Sequence, residues 1–162
     1  MRFYHGRFIR TDIWREGDYL DLWSVPHFLS GLVLGIAIFY LGFDFRAGAL
    51  IAFLLLVAYE MFEVIAEIEE TRMNRVLDVV VGLSSCLPAL YFAPRIGPAS
   101  LLVVFLIAGA ADAVLSFMGW RASQKAAELE RNLRAEWRRE RDKMRLRRHA
   151  FAARFRRKPP LT

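Results

Sequence analysis

Apolar side chains run almost uninterrupted through four stretches of the chain, with charged residues gathered between and beyond them. The stretches cover residues 25–43, 47–67, 75–93 and 99–120. A helix needs about 20 mostly apolar residues to cross the roughly 30 Å core of a bilayer. A helix on the surface of a soluble protein carries a polar face along its length, and these stretches do not. The pattern predicts an all-α, polytopic membrane protein with a four-transmembrane-helix bundle.

The polar segments that flank the four stretches differ from each other. Residues 1–24 mix arginines with aromatic and aliphatic side chains, which favours either an interfacial arm or a partly ordered cytoplasmic arm. Residues 121–162 contain fifteen Lys and Arg against five Asp and Glu, with apolar residues at nearly helical spacing. We therefore predict three regions, which are an interfacial arm (1–24), a transmembrane domain (25–120) and a long, basic, amphipathic cytoplasmic helix (121–162).

The arginines also predict an orientation. They occur in the N-terminal arm, in the tail and, as Arg72 and Arg75, in the bend between the second and third stretches. The other two loops offer only Arg46 and Arg95. Because basic residues are enriched on the cytoplasmic side, an even number of spans places both termini in the cytoplasm. The acidic residues of the arm argue against a cleaved signal peptide.

Carboxylates lie inside three of the four predicted spans. Glu60 and Glu63 are on the second, Asp78 is on the third and Asp112 is on the fourth. A charged carboxylate near mid-bilayer costs at least about 2.5 kcal/mol, so we expect these groups to face the bundle interior. At about 1.5 Å per residue they lie in the cytoplasmic half, as does His27 at the start of the first span.

Regular spacing marks the faces on which helices meet. Five residues of the third helix and the bend before it are each four apart and share one side: Glu70, Asn74, Asp78, Gly82 and Cys86. In the first helix Gly31 and Gly35 form a GxxxG, which favours close helix contact. The single cysteine excludes an intramolecular disulfide.

These residues define a candidate pocket with two interpretations. Its predicted ligand-binding residues are His27, Glu60, Glu63, Asn74 and Asp78. Imidazole and carboxylate ligands suit Mn²⁺, Zn²⁺ or Mg²⁺, so all of these except Asn74 are candidate metal ligands. Alternatively, protonated or arginine-paired carboxylates only hold the helices in register, and this is the favoured interpretation for Asp112.

The tail predicts contact with membrane lipid. Its candidate headgroup-binding residues are Arg138, Arg139, Arg145, Arg147 and Arg148. Basic residues beside a membrane helix attract anionic lipid at about 1 kcal/mol per charge. Binding to an acidic protein partner, or self-association, stays open. Nucleic acid is not expected, because the chain shows no base-reading module.

Three short motifs lie within about residues 22–90. The first is Trp23 and His27, followed by Gly31; the second is Tyr59, Glu60 and Glu63; the third is Asn74, Arg75, Asp78 and Gly82. In these motifs the chain resembles the VanZ-like family of small bacterial integral membrane proteins. VanZ-like proteins often have Gln after the acidic residue and Asn where Gly82 stands, and the basic tail is an addition. The resemblance implies four or five helices in the bacterial inner membrane, a polar pocket and a link to envelope stress or glycopeptide tolerance. It supplies no established reaction.

Three functions remain in view from the sequence. The first is a binding protein whose acidic pocket holds a divalent cation or a lipid headgroup. The second is a metal-assisted transferase or hydrolase that acts on a lipid phosphate. The third is a scaffold that presents its basic tail to anionic lipid or to a partner.

Overall fold

A computed structural model describes residues 2–4, 7–9, 13–14, 19–65 and 71–156. Its side chains are described for residues 13–14, 19–65 and 71–151. The chain divides into two compact units, one formed by Thr11–Ser123 and the other by Met1–Arg10 with Gln124–Thr162. Glu70, predicted to extend the polar stripe of the third helix, lies outside the described residues.

Helices make up nearly all of the described chain, which confirms the all-α class. They are α1 (Ser24–Tyr40), α2 (Phe45–Ile65), α3 (Arg72–Phe92) and α4 (Pro98–Arg156), with a 3₁₀ turn at Ala93–Arg95. Within the described residues, three helices are long and apolar enough to cross a membrane, namely α2, α3 and α4. The 17 residues of α1 are apolar but reach only about 26 Å, so a fourth span stays a prediction.

Apart from the C-terminal end of α4, the helix ends differ from the predicted ones by one to three residues, and local caps set several of them. Helix α1 ends before Gly42, which adopts a φ of 81°. The Asp44 carboxylate accepts the backbone N–H groups of Arg46 and Ala47 at 2.8 and 3.0 Å, so α2 begins at Phe45. The Thr71 hydroxyl accepts the backbone N–H of Asn74 at 3.1 Å and starts α3 at Arg72.

Helices α1 and α3 pack with almost no space between their backbones. A Cβ atom added to Gly31 would lie 2.1 Å from the Gly82 carbonyl oxygen, and one on Gly35 would lie 2.5 Å from the Cys86 carbonyl oxygen. The close contact predicted from the GxxxG spacing is therefore present. The Ser85 hydroxyl crosses the same contact and lies 2.6 Å from the Phe28 carbonyl oxygen.

The other helices of this unit are arranged around the α1–α3 pair. Helix α2 contributes Ala52 to a buried cluster with Ile38 and Cys86. Helix α4 contributes Leu101, which packs with Ile36 of α1. Most apolar side chains of α2 and α4 point outward and are exposed, as expected of lipid-facing surfaces.

The second unit contains an antiparallel strand pair and the C-terminal part of α4. Strand β1 (Arg2–Tyr4) pairs with β2 (Arg7–Ile9), and Phe3 stands opposite Phe8. Three-residue strands are too short for an alternating pattern of apolar and polar residues to reveal them in the sequence. The fourth predicted span ends at residue 120, whereas helix α4 continues beyond that residue to Arg156.

Candidate metal centre and adjoining cavity

Three ionisable side chains from three helices meet near one end of the first unit. His27, Glu60 and Asp78 each offer one ligand atom, and these atoms all lie within 4.8 Å of one another. His27 is in the first turn of α1, Asp78 is in the second turn of α3 and Glu60 is about 8 Å from the end of α2. The antiparallel course of consecutive helices brings these three positions to one level.

Asp78 is the most enclosed member, with 1% of its surface exposed. One carboxylate oxygen accepts the Asn74 side-chain amide at 3.0 Å and lies 3.8 Å from His27 Nε2. The other accepts the Ser24 hydroxyl at 3.5 Å. Ser24 is the first residue of α1, and its side chain turns to Asp78. The polar groups around Asp78 therefore fix its carboxylate toward α1.

Glu60 and His27 complete the group from the other side. Glu60 is 7% exposed and lies on the inner face of α2. The His27 ring is 13% exposed and meets the Tyr59 ring edge-on, with 5.9 Å between centroids. The imidazole is thus held between the Asp78 carboxylate and an aromatic ring, with Nε2 toward the carboxylate.

The arrangement has the chemistry of a divalent-cation site. Ligand atoms that share one Zn²⁺ or similar ion lie about 3–4.5 Å apart, because each metal–ligand bond is about 2.0–2.2 Å long. The spacing within 4.8 Å is close to that range. One imidazole and two carboxylates suit Mn²⁺ or Zn²⁺, and Asn74 and Ser24 act as outer partners that orient Asp78.

Glu63 lies outside this three-residue group and lines a separate space. It is one turn beyond Glu60 on α2, and its carboxylate lies near the Tyr59 hydroxyl. The space is a cavity of about 600 Å³ between α1, α2 and α4. Its lining residues are Trp23, Pro26, His27, Ser30, Leu34, Leu55, Leu56, Tyr59, Glu63, Ser116 and Trp120. His27 therefore belongs to both the candidate metal centre and the cavity wall.

Asp112 links α4 to α1 and lies outside the candidate metal centre formed by His27, Glu60 and Asp78. Its carboxylate accepts the Ser30 hydroxyl at 2.7 Å and the Ser116 hydroxyl at 3.3 Å. Ser30 is on α1, so this contact links the two helices across the bundle. The geometry agrees with the interpretation of Asp112 as a group that holds helices together.

The candidate headgroup arginines of the tail all lie on α4 and are exposed. Arginines at successive spacings of three and four residues share one face of the helix: Arg131, Arg134, Arg138, Arg141, Arg145 and Arg148. Of the predicted set, Arg139 and Arg147 lie on other faces. Arg134 pairs with Glu130, and the Lys143 ammonium beside Glu140 lowers the pKa of that carboxyl.

The structure thus brings together four of the five predicted pocket residues and places Glu63 beside them, on the cavity. Sequence reasoning missed Ser24 as a partner of Asp78, although its spacing of three from His27 puts both on one face of α1. It also missed Trp120, which no local spacing connects to the pocket. No protein-family model, curated protein or solved structure matches this chain.

Proposed function

We propose that this chain is a membrane protein that binds a divalent cation between His27, Glu60 and Asp78. The observation that carries the proposal is the convergence of one imidazole and two buried carboxylates, from three helices, within 4.8 Å. Helices in a membrane have little reason to bury acids against each other unless something compensates their charge.

Electrostatic repulsion between the Glu60 and Asp78 carboxylates favours a bound cation. Two charged carboxylate oxygens within 4.8 Å of each other repel by about 3.5 kcal/mol or more at an effective dielectric constant of about 20. Protonating one of them, or binding an ion, relieves this repulsion. A divalent ion held by Glu60, Asp78 and a neutral His27 gives an assembly with no net charge, which suits a low-dielectric surrounding.

The same proposal includes the membrane topology and the location of the protein. Helix α1 forms the fourth span, and both termini are cytoplasmic, as supported by Arg72, Arg75 and the arginines of the tail. The metal centre then lies in the cytoplasmic half of the membrane. The resemblance of residues 22–90 to VanZ-like proteins supports a location in the bacterial inner membrane and a role in envelope stress.

Thermal unfolding of the detergent-purified chain tests the metal centre. The protein is stripped with a chelator and then given Mn²⁺, Zn²⁺ or Mg²⁺. An ion at 100 times its dissociation constant adds about 2.7 kcal/mol of stability, which raises Tm by roughly 5–10 °C for a chain of this size. If none of the three ions raises Tm, the proposal is wrong.

Single substitutions locate the effect. His27→Gln, Glu60→Gln and Asp78→Asn should each remove the ion-dependent rise in Tm. Asp112→Asn is the matched control, because it neutralises a membrane carboxylate that the structure places outside the group. The control should keep the full rise, and an equal loss in all four variants would point to a general charge effect.

The tail supports a second proposal, which is that it binds anionic lipid. The observation is the face of α4 that carries six arginines, beside an apolar stripe that includes Leu133, Trp137 and Met144. In nanodiscs, amide hydrogen exchange of residues 131–148 should slow when anionic lipid replaces neutral lipid. Replacing the six face arginines by Gln should abolish the difference, whereas replacing only Arg139 and Arg147 should retain it.

A further inference from the structure

A second cavity lies at the opposite end of the helices from the candidate metal centre. It has a volume of about 430 Å³ and is about 20 Å along α3 from Asp78. It is formed where α1 and α3 end and where α2 begins. Its lining residues are Phe39, Phe43, Asp44, Phe45, Leu90, Tyr91, Pro94 and Arg95. The second cavity therefore combines aromatic surface with one acidic and one basic side chain.

Arg95 is held against the wall of this cavity in a way that leaves donors for a ligand. Its guanidinium lies over the Tyr91 ring, 4.4 Å from the ring centroid. Its Nη1 donates to the Tyr91 carbonyl oxygen at 2.7 Å. A guanidinium has five N–H donors in a planar fork, and this bond uses one of them. The other donors can bind two oxygens of a phosphate, which is the geometry that arginine favours.

Asp44 supplies the negative charge of the same lining. Its Oδ1 accepts the backbone N–H groups of Arg46 and Ala47 at 2.8 and 3.0 Å, which fixes the carboxylate at the start of α2. Within the described residues, Oδ2 makes no hydrogen bond. In the same part of the chain, no ion pair joins Asp44 to Arg95. A ligand that carries both signs of charge would therefore find a separate partner for each.

The position and the aromatic lining of the second cavity favour a lipid. The Phe45 and Tyr91 rings meet edge-on with 6.0 Å between centroids, and each is about half exposed. They stand at the ends of α2 and α3, two of the helices that are long and apolar enough to cross a membrane. Aromatic residues are enriched at this level, beside lipid headgroups. We propose that the second cavity binds one zwitterionic phospholipid, with its phosphate on Arg95, its ammonium on Asp44 and the start of its acyl chains along the aromatic rings.

The two charged side chains give the second cavity a headgroup preference. A phosphoethanolamine headgroup carries a phosphate and an ammonium joined by a short link, so it can pair with Arg95 and Asp44 together. A phosphatidylglycerol headgroup carries only the phosphate and would leave the Asp44 carboxylate without a cation. This preference is the reverse of that proposed for the tail, whose arginines attract net anionic lipid. It also does not depend on a metal ion at His27, Glu60 and Asp78.

Competition between dioleoyl-phosphatidylethanolamine and dioleoyl-phosphatidylglycerol, followed by native mass spectrometry, tests the proposal. The full chain is purified in detergent with the six face arginines of the tail replaced by Gln, so that the tail does not recruit anionic lipid. We expect one phosphatidylethanolamine per chain, bound about fivefold more tightly than phosphatidylglycerol. Equal affinity for the two lipids, or a preference for phosphatidylglycerol, would overturn the proposal.

Glycerophosphoethanolamine distinguishes a membrane lipid from a soluble ligand, because it has the same headgroup without acyl chains. It should not displace the bound phosphatidylethanolamine at an equal concentration. Displacement under these conditions would show that the acyl chains contribute nothing, and it would overturn the assignment of the ligand as a lipid.

Variants in the same background then assign the site. Arg95→Gln should weaken phosphatidylethanolamine binding about tenfold, because the phosphate loses its guanidinium. Asp44→Asn should abolish the preference for phosphatidylethanolamine without weakening phosphatidylglycerol binding, and it should keep the fold because Asn is an equally good helix cap. Arg46→Gln is the matched control, because it removes a positive charge beside Asp44 but outside the cavity lining, and it should bind like its parent. Phosphatidylethanolamine binding and preference that are unchanged in either Arg95→Gln or Asp44→Asn would overturn the proposal.

Discussion

Replacing Gly31 with alanine would push apart the two helices that carry His27 and Asp78. The new Cβ atom would lie 2.1 Å from the Gly82 carbonyl oxygen and 2.4 Å from the Ser85 hydroxyl. Ordinary contacts of a Cβ atom begin near 3.4 Å, so the helices must separate by about 1 Å or more. The carbonyl belongs to the backbone and cannot rotate out of the way.

The expected loss of stability follows from two contributions. Overpacking of a closely fitted contact costs about 1–3 kcal/mol, and the rigid backbone oxygen places this case toward the upper end. The separation also lengthens the 2.6 Å hydrogen bond between Ser85 and Phe28, whose loss adds about 1 kcal/mol. A total of about 4 kcal/mol lowers Tm by roughly 8–16 °C in a chain of this size.

Thermal unfolding in detergent, followed by circular dichroism, measures the change. Gly109→Ala is the matched control within a helix, because its Cβ would meet only Val33, at 3.9 Å. The control should keep or slightly raise Tm. Gly31→Ala should also reduce the ion-dependent rise in Tm, since the separation moves His27 away from Asp78. A Gly31→Ala protein that unfolds at the same temperature as Gly109→Ala would refute the close-packing argument.

Other substitutions test single contacts by the same thermal measurement. Thr71→Ala removes the hydroxyl that caps α3 and should lower the free energy of unfolding by about 1 kcal/mol. Thr71→Ser keeps a hydroxyl and should leave the free energy of unfolding unchanged. Equal Tm values for the Ala and Ser variants would show that the cap does not stabilise α3. Ser30→Ala removes the 2.7 Å donor to Asp112 and should lower stability by about 1.5–3 kcal/mol, and an unchanged Tm would show that this α1–α4 contact is not formed.

The spans and the polar stripe of α3 could be predicted because both depend on local spacing. Apolar runs identify α2, α3 and the first part of α4 directly. The fourfold spacing of Asn74, Asp78, Gly82 and Cys86 places them on one face, and all four are buried in the structure. The GxxxG of α1 likewise identified the face that contacts α3.

The division between metal centre and cavity could not be predicted, because it depends on how α2 is rotated. Glu60 and Glu63 are three residues apart and share a broad face, so sequence alone groups them together. In the structure Glu60 turns to Asp78, while Glu63 turns to the space between α2 and α4. That space exists because α2 and α4 each pack on α1, which no periodicity within one helix reveals.

The most direct test of the metal centre is pulsed electron paramagnetic resonance of Mn²⁺ added to the chelator-stripped chain. The proposed site predicts one Mn²⁺ per chain with a single nitrogen-14 coupling from the His27 imidazole, and the loss of this coupling in His27→Gln. Mn²⁺ that fails to bind at one ion per chain, or that binds without nitrogen coupling, would contradict a cation site built from His27, Glu60 and Asp78.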